Sequence, residues 1–239
     1  MTGCRLFFYF LACAGLVAET APAPPDEIVD HYCSASAVTE QALDGSSMEV
    51  EILASLPKLK KQGRLHALRR ISKLGRITYD RLTFEGDGTI KNQVIARYLS
   101  AEVEARNDPS PALAITPTNY KFKYKGVNRL DDRETYVFQV TPRRKQVGLF
   151  KGEVWIDAAT YLRVQESGYW VKNPSIFLKR VAFVRKYEIR DGIPVPRQVA
   201  SVVDTRVWGQ AQLEIDFSNF SPNDEQAKKR TAQTADDGQ

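Results

Sequence analysis

The segment from Tyr120 to Phe220 most constrains the fold, because its pattern is that of a series of amphipathic β-strands. It opens with Tyr120-Lys121-Phe122-Lys123-Tyr124-Lys125, in which three aromatic side chains alternate with three lysines. Successive side chains of a strand point to opposite faces of the sheet, so this stretch predicts one aromatic face and one cationic face. A curved sheet with such a face can hold an apolar ligand.

Seven strands are predicted in this part of the chain, because runs of apolar alternation are separated by turn residues. The predicted strands are 119–128, 134–142, 149–157, 161–171, 176–189, 194–206 and 209–219. The turns between them contain Asp131-Asp132, Asp157 to Thr160, Asn173-Pro174 and Asp191-Gly192.

The first part of the chain predicts a helix followed by three strands. The helix runs from Asp26, its expected cap, to about Leu43. Strands are expected at 48–56, 64–74 and 76–84, and their short connections favour an antiparallel meander. The apolar face of the helix is predicted to contain Ile28, Val29, Tyr32, Cys33, Val38 and Leu43.

A second helix is predicted between the two groups of strands. It begins at Thr89 as cap and ends near Arg106. The loop that follows, residues 107–118, holds three prolines around an apolar core, so we expect it to act as a lid or to pack against the mouth of the sheet. The apolar stripe of the helix is predicted to contain Ile90, Val94, Ile95, Tyr98, Leu99 and Ala101.

About ten antiparallel strands and two helices predict an α+β fold over residues 26–220. We expect a strongly curved antiparallel sheet that forms an open half β-barrel, with the helices on its concave side. The polar residues 221–239 are expected to form a disordered tail.

Residues 1–23 have the pattern of a secretory signal peptide. Arg5 precedes an apolar run at 6–18, and small residues and prolines follow it. We therefore expect an exported protein. Lipid anchoring at Cys13 is disfavoured because the apolar run before this residue is short and continues past it. Removal of the segment leaves Cys33 as the single cysteine, so no intramolecular disulfide is expected.

A search for catalytic motifs predicts that the protein is not an enzyme. The sequence has no nucleophile elbow, phosphate-binding loop, dinucleotide glycine fingerprint or zincin motif. His31 and His66 are the only histidines, and no carboxylates can be paired with them as metal ligands. Asp131, Asp132 and Asp157 stand at predicted turns, where aspartate is common. No metal, cofactor or catalytic residue is therefore expected.

The candidate binding residues are apolar side chains of the predicted inner face. If the helices fill the sheet incompletely, these residues line a pocket, and an acyl chain buried there gains about 0.8 kcal/mol per methylene. If the helices fill the sheet, the same residues form a closed core, and periodicity alone favours this closed core. The candidates are Tyr120, Phe122, Tyr124, Tyr136, Phe138, Val140, Val154, Ile156, Leu162, Val164, Leu213, Ile215 and Phe217.

The net charge of +5 is distributed over several clusters, including Arg143-Arg144-Lys145 and Lys179-Arg180. Such clusters are commonly solvated turns and sheet faces. In an exported protein they can also attract anionic lipid head groups, whereas the expected compartment disfavours nucleic acid.

Two segments resemble a known family. The hairpin Gly152 to Glu166, with Trp155-Ile156-Asp157, a turn containing Thr160, and Arg163-Val164, resembles the LolA-like outer-membrane lipoprotein-sorting proteins and the related LolB and MucB/RseB domains. The strand, Asp-Gly turn and strand at 184–196 are similar to the same group.

The resemblance implies an open β-barrel in the periplasm with helices as a lid. Its apolar cavity would accept the acyl chains of lipoproteins or other lipids, with no catalysis and no cofactor, and an inner- or outer-membrane protein is a possible partner. The chain departs from the well-known carriers where Arg76 to Arg81 replaces their Arg-Pro-x-x-Phe-x-Trp strand, so no ligand-gating residue is transferred. Three hypotheses follow: a lipid or lipoprotein carrier, a MucB/RseB-like regulator of envelope stress, and a hydrolase with an unrecognised site.

Overall fold

The computed structural model describes residues 24–107 and 110–222, so the predicted signal peptide and the predicted tail from 223 onward lie outside the described residues. Ten antiparallel strands form one sheet. They are β1 (Ser47–Leu56), β2 (Lys61–Ile71), β3 (Ile77–Gly86), β4 (Tyr120–Leu130), β5 (Arg133–Pro142), β6 (Phe150–Asp157), β7 (Arg163–Trp170), β8 (Leu178–Arg190), β9 (Ile193–Thr205) and β10 (Gln210–Ser221).

The strands lie in the order β3-β2-β1-β10-β9-β8-β7-β6-β5-β4, so β3 and β4 are the two edges and the sheet does not close. Paired strands are consecutive in sequence except for β1 and β10, while the consecutive strands β3 and β4 are not paired. The predicted open, curved antiparallel sheet is therefore confirmed. Ser221, which was assigned to the tail, is the last residue of β10.

Apart from two 3₁₀ turns in connecting loops, the helical elements of the described residues lie on the concave face of this sheet. They are α1 (Pro25–Thr39), α2 (Gly88–Ile90), a π-helical turn (Lys91–Ile95) and α3 (Ala96–Asn107), with 3₁₀ turns at Pro57–Leu59 and Pro111–Leu113. None of the helices in the described ranges is long and apolar enough to span a membrane.

Helix α1 fills one half of the concave face. We call its buried contacts the α1 cluster: Ile28, Val29, Tyr32, Tyr120, Tyr136, Phe138, Val140, Leu149, Phe150, Val154, Ile156 and Phe183. The predicted cap was wrong, because Pro24 is the N-cap and Asp26 lies in the first turn. The predicted apolar face was wrong at Val38, which is exposed, and Leu43 lies beyond the end of the helix.

Helices α2 and α3 cover the other half. We call this group the α3 cluster: Met48, Val50, Ile52, Ala54, Leu56, Leu65, Ala67, Ile71, Ile77, Ile90, Ile95, Ala211, Leu213 and Ile215, with Tyr98, Leu99 and Val103 packed against it. The N-cap is Asp87, whose carboxylate accepts from Thr89 N, so the prediction of Thr89 as cap was wrong. Ala101 is exposed, because Glu102 and Val103, seven and eight residues after Ile95, are the ones that lie on the same face of the helix as Ile95.

The proline-containing loop packs against the sheet. Leu113 and Ile115 pack onto the α1 cluster. Asn119 is buried and donates two hydrogen bonds, to Pro111 O and Ala114 O, both at 2.9 Å. These contacts favour the second of the two predicted roles, packing at the mouth of the sheet.

Candidate functional site

One row of side chains crosses the concave face of all ten strands. Register pairs link, from β3 to β4, Phe84, Leu65, Ile52, Ile215, Val199, Arg185, Glu166, Val154, Phe138 and Tyr124. Eight of these ten residues are apolar or aromatic, and the two charged ones are neighbours in β8 and β7. The apolar face is therefore divided by a charged pair at its middle.

Glu166 is the hub of a group that we call the polar centre, formed by Arg163, Glu166, Arg185 and Tyr187. Its carboxylate accepts hydrogen bonds from Arg163 Nη1 at 3.1 Å, Arg185 Nη1 at 3.5 Å and Tyr187 OH at 3.3 Å. The guanidinium of Arg163 also lies 4.7 Å from the centroid of the Tyr187 ring. One carboxylate thus holds two arginines, which leaves the polar centre with a net charge of +1.

The two arginines are open to solvent on one side. The Glu166 side chain is 2 % exposed, whereas Arg163 and Arg185 are each 38 % exposed. Burial is the strongest influence on the pKa of Arg185 and disfavours its charge, but Tyr187 and Glu166 together raise the pKa above its ordinary value. Arg185 is therefore charged, crowded by protein and still reachable by water. Its remaining N–H groups can donate to a ligand that carries oxygen acceptors.

Tyrosines from both helices approach the polar centre. Burial raises the pKa of Tyr32 in α1, while the nearby Arg163 opposes that rise. Burial likewise raises the pKa of Tyr98 in α3, with Glu102 adding to the rise and Arg185 opposing it. Each tyrosine therefore stays neutral in the folded protein. The polar centre consequently lies where the coverage of α1 meets that of α3.

Helix α3 is fixed to the sheet by polar contacts. Arg69 in β2 is buried and donates from Nε and Nη2 to Glu102 Oε1, at 3.0 and 2.9 Å. The hydroxyl of Tyr79 in β3 donates to the other oxygen of Glu102. At the end of the helix, Arg106 donates to Asp44 Oδ1 at 2.9 Å and to Gly75 O at 3.1 Å. Removal of α3 would break all of these bonds.

Helix α1 has no comparable anchors among the described residues. Its side-chain hydrogen bonds stay within the helix, as in Ser34 Oγ to Asp30 O at 2.9 Å, and no side chain caps its first turn. It is held by three buried side chains, Ile28, Val29 and Tyr32, and by a ring contact between His31 and Tyr161 with centroids 4.7 Å apart. Helix α1 is therefore the more readily displaced cover.

Eleven of the thirteen candidate residues are divided between the two clusters, on either side of the polar centre. Leu162 and Val164 are buried outside both clusters. In the α1 cluster or packed against it are Tyr120, Phe122, Tyr124, Tyr136, Phe138, Val140, Val154 and Ile156, and in the α3 cluster or packed against it are Leu213, Ile215 and Phe217. The described face is thus covered by helices on both sides.

Sequence reasoning missed the polar centre, although Arg163 and Glu166 lie in the hairpin that carried the resemblance. The irregularity between Trp155 and Ile156 pairs Ile156 with Arg163, so Arg163 and Glu166 share a face although they are three residues apart. Strict alternation places residues three apart on opposite faces, and only the bulge makes them neighbours. No pattern of residue types in the sequence indicates this bulge.

The predicted turn aspartates show no catalytic arrangement. Asp157 Oδ1 accepts from Thr160 N at 2.9 Å and from Thr160 Oγ1 at 2.8 Å, and its other oxygen pairs with Arg133 Nη1 at 3.2 Å. Within residues 24–107 and 110–222, no group of three or more His, Cys, Asp or Glu side chains is placed to hold a metal ion.

Comparisons with known proteins find similarity only among solved structures, since no family model and no curated protein matches the chain. A DUF1329 family protein from Desulfovibrio piger is 16 % identical, with 84 % of this chain and 94 % of that one covered and a TM-score of 0.46. A LolA superfamily protein from Nitrosomonas europaea is 13 % identical, with 80 % and 94 % covered and a TM-score of 0.35.

A putative outer membrane lipoprotein-sorting protein domain from Vibrio parahaemolyticus is 11 % identical, with 83 % and 93 % covered and a TM-score of 0.39. Two of these three descriptions name the group that the hairpin at 152–166 resembles. At these identities the likeness concerns the fold alone, and the site must be judged from its own geometry.

Proposed function

We propose that this chain is an exported, non-enzymatic carrier of lipid or of the acylated end of a lipoprotein. Its acyl chains would lie against the apolar concave face, and the polar centre would hold the head of the ligand. The observation that carries this proposal is the pair Arg185 and Glu166 in the middle of an otherwise apolar row. Two charged, partly solvated arginines at the midline would destabilise a closed apolar core. An amphiphilic ligand, in contrast, needs both an apolar and a charged surface.

Loading would require the displacement of α1. Three buried side chains hold this helix, and full burial of such a side chain stabilises by about 1.5–3 kcal/mol. An acyl chain of ordinary length that takes their place gains about 0.8 kcal/mol per methylene, so a long chain offsets the loss of all three. The ligand and α1 would therefore compete for the same apolar face, and a membrane or partner that competes for the chain would favour its release.

The head of the ligand would be an acceptor of hydrogen bonds. Arg163 and Arg185 offer N–H groups beyond those that Glu166 engages. Carboxylate, phosphate and ester oxygens fit these donors, and an alkylammonium head is repelled by the net positive charge.

The test compares two fluorescent lipids with the same chain, one with a carboxylate head and one with an ammonium head. The full chain is expressed in a Gram-negative host, purified from the periplasm and examined by native mass spectrometry for bound acylated species. We expect the wild-type protein to bind the carboxylate probe more tightly than the ammonium probe. The variant R163Q/R185Q should bind the carboxylate probe about tenfold more weakly than the wild type. Arg64 and Arg190, which form exposed ion pairs, provide the matched control R64Q/R190Q.

Failure to bind either probe, with no acylated species in the purified protein, would show that the concave face is a closed core. Turnover of the bound lipid would instead support a hydrolase, and a stable complex with an inner-membrane protein would support the regulatory alternative.

A further inference from the structure

Four hairpin connections emerge at one end of the sheet. They are residues 57–60 between β1 and β2, 143–149 between β5 and β6, 171–177 between β7 and β8, and 206–209 between β9 and β10. Connections of this kind alternate between the two ends of an antiparallel sheet, so these four share an end. Two of them touch, because Arg206 donates from N to Phe177 O at 2.9 Å and from Nε to Ile176 O at 2.7 Å. We call this the basic end.

Large apolar side chains are exposed at the tips of these connections. Ile176 is 80 % exposed, Val207 is 63 % exposed and Phe177 is 54 % exposed, and Leu59 and Val147 are also exposed. A single exposed apolar residue needs no explanation, but a group of them on adjoining loop tips marks an interaction surface.

The same connections carry an unbalanced positive charge. Their sequences contain no aspartate or glutamate. At the opposite end, the connections hold Asp131, Asp132 and Asp191 together with Lys73 and Arg76, so acidic and basic residues occur together there. Asp87 is a carboxylate near the basic end, but its Oδ2 atom is paired with Lys61 Nζ at 3.4 Å. The basic residues of the four connections are Lys58, Lys60, Arg143, Arg144, Lys145, Lys172 and Arg206.

A groove of about 500 Å³ lies beside the connection 143–149. Arg143, Arg144, Lys145 and Lys151 line it together with Trp170. In the part of the chain that the structure describes, no carboxylate lies within ion-pair distance of these four cations.

Two cations of the groove are oriented without being neutralised. Arg143 Nε donates to Pro117 O at 2.8 Å, and Arg144 Nη2 donates to Ala112 O at 3.0 Å and Asn119 Oδ1 at 3.2 Å. These acceptors are uncharged. The arginines are thus held in place with their full charge, as recognition of an anionic phosphate group requires.

We propose that the basic end docks on an anionic lipid bilayer. The tips at Ile176, Phe177 and Val207 enter the interfacial region, the surrounding cations face the anionic surface, and the groove takes a phospholipid headgroup phosphate. Charge complementarity favours a lipid surface over a protein partner, because exposed apolar tips within a ring of cations match the apolar and anionic layers of a bilayer. The basic end is a separate surface from the concave site, and its docking does not depend on the proposed cargo.

The test is co-sedimentation of the purified full chain with vesicles. We expect binding to vesicles of phosphatidylcholine mixed with phosphatidylglycerol, little binding to phosphatidylcholine alone, and a decrease in binding as salt is raised. I176S/F177S and K145Q/K172Q should each bind roughly tenfold more weakly. The controls are L74S, which changes a side chain that is 82 % exposed at the opposite end, and K123Q, which removes an exposed lysine of β4.

Circular dichroism establishes that each variant is folded. Unchanged binding by folded I176S/F177S, or an equal loss in L74S, would overturn the proposal. Inorganic phosphate, added at constant ionic strength, tests the groove separately: it should weaken vesicle binding if the groove holds a headgroup phosphate, and unchanged binding would show that the groove takes no part in docking. Because R163Q/R185Q leaves the basic end unchanged, its vesicle binding should match the wild type whether or not the concave site binds lipid.

Discussion

Gly152 in β6 and Gly168 in β7 are register partners, and a Cβ atom on either residue would clash with the backbone of the other strand. A Cβ atom added to Gly152 would lie 1.8 Å from Ser167 O, and one added to Gly168 would lie 2.4 Å from Lys151 O. Both glycines belong to the half of the sheet that α1 covers, next to Val140 and Phe183 in register. The absence of side chains at these two positions therefore permits the close approach of the two backbones beneath α1.

G152A should therefore destabilise the protein strongly. The methyl group would overlap a backbone carbonyl that cannot move without breaking the ladder, so we expect the free energy of unfolding to fall by about 3 kcal/mol or more. Urea unfolding followed by circular dichroism measures the change. The matched control is G88A at the start of α2, where an added Cβ meets nothing within 4 Å. Its effect should stay within about 0.5 kcal/mol, and equal stability of the two variants would contradict the geometry.

Loss of the buried carboxylate should also be costly. E166Q removes the charge that neutralises one of the two arginines, and we expect a loss of about 1–3 kcal/mol in the free energy of unfolding, below the usual range for a fully buried pair because the arginines are partly solvated. E188Q is the control, since Glu188 pairs with Arg190 at 2.9 Å on the surface. Its effect should be within about 0.5 kcal/mol. A similar loss in both variants would argue against a special role for Glu166.

Stability should decline at alkaline pH. Burial raises the pKa of Tyr32, Tyr79, Tyr98 and Tyr187 above that of a tyrosine in the unfolded chain. The unfolded chain therefore releases protons first, so the contribution of these residues is complete below about pH 10 and is lost as pH rises further. Urea unfolding from about pH 9 to about pH 11 measures the decline, and it should be shallower in Y32F. A constant free energy of unfolding over that range would be inconsistent with these shifts.

A covalent tether on α1 should block loading. In a C33S background, H31C and Y161C place thiols where two rings now lie with centroids 4.7 Å apart, so oxidation or a short thiol crosslinker joins α1 to the turn after β6. We expect the crosslinked protein to exclude a fluorescent fatty acid and to regain uptake on reduction. Each single-cysteine variant is a control. Normal uptake by the crosslinked form would show that α1 is not the cover.

The strands could be predicted from the sequence because burial follows period two. In β1, Met48, Val50, Ile52, Ala54 and Leu56 are all buried, as the alternation indicated. Helix caps were mispredicted because Asp26 and Thr89 each have a competing neighbour, Pro24 and Asp87, that occupies the cap position. The polar centre could not be predicted, because it depends on a bulge and on the register of the strands, and neither can be inferred from local composition.

The pairing of β1 with β10 also determines when the sheet can be completed. A ribosome makes Ser47 early and Ser221 much later, yet these two residues are partners. Until β10 has been made, β1, β2 and β3 form a separate three-stranded sheet. The edge at β1 then has no pairing partner, and the apolar face is only partly covered. Completion of the sheet therefore waits for the C-terminal strand, which pairs with β1 on one side and with β9 on the other.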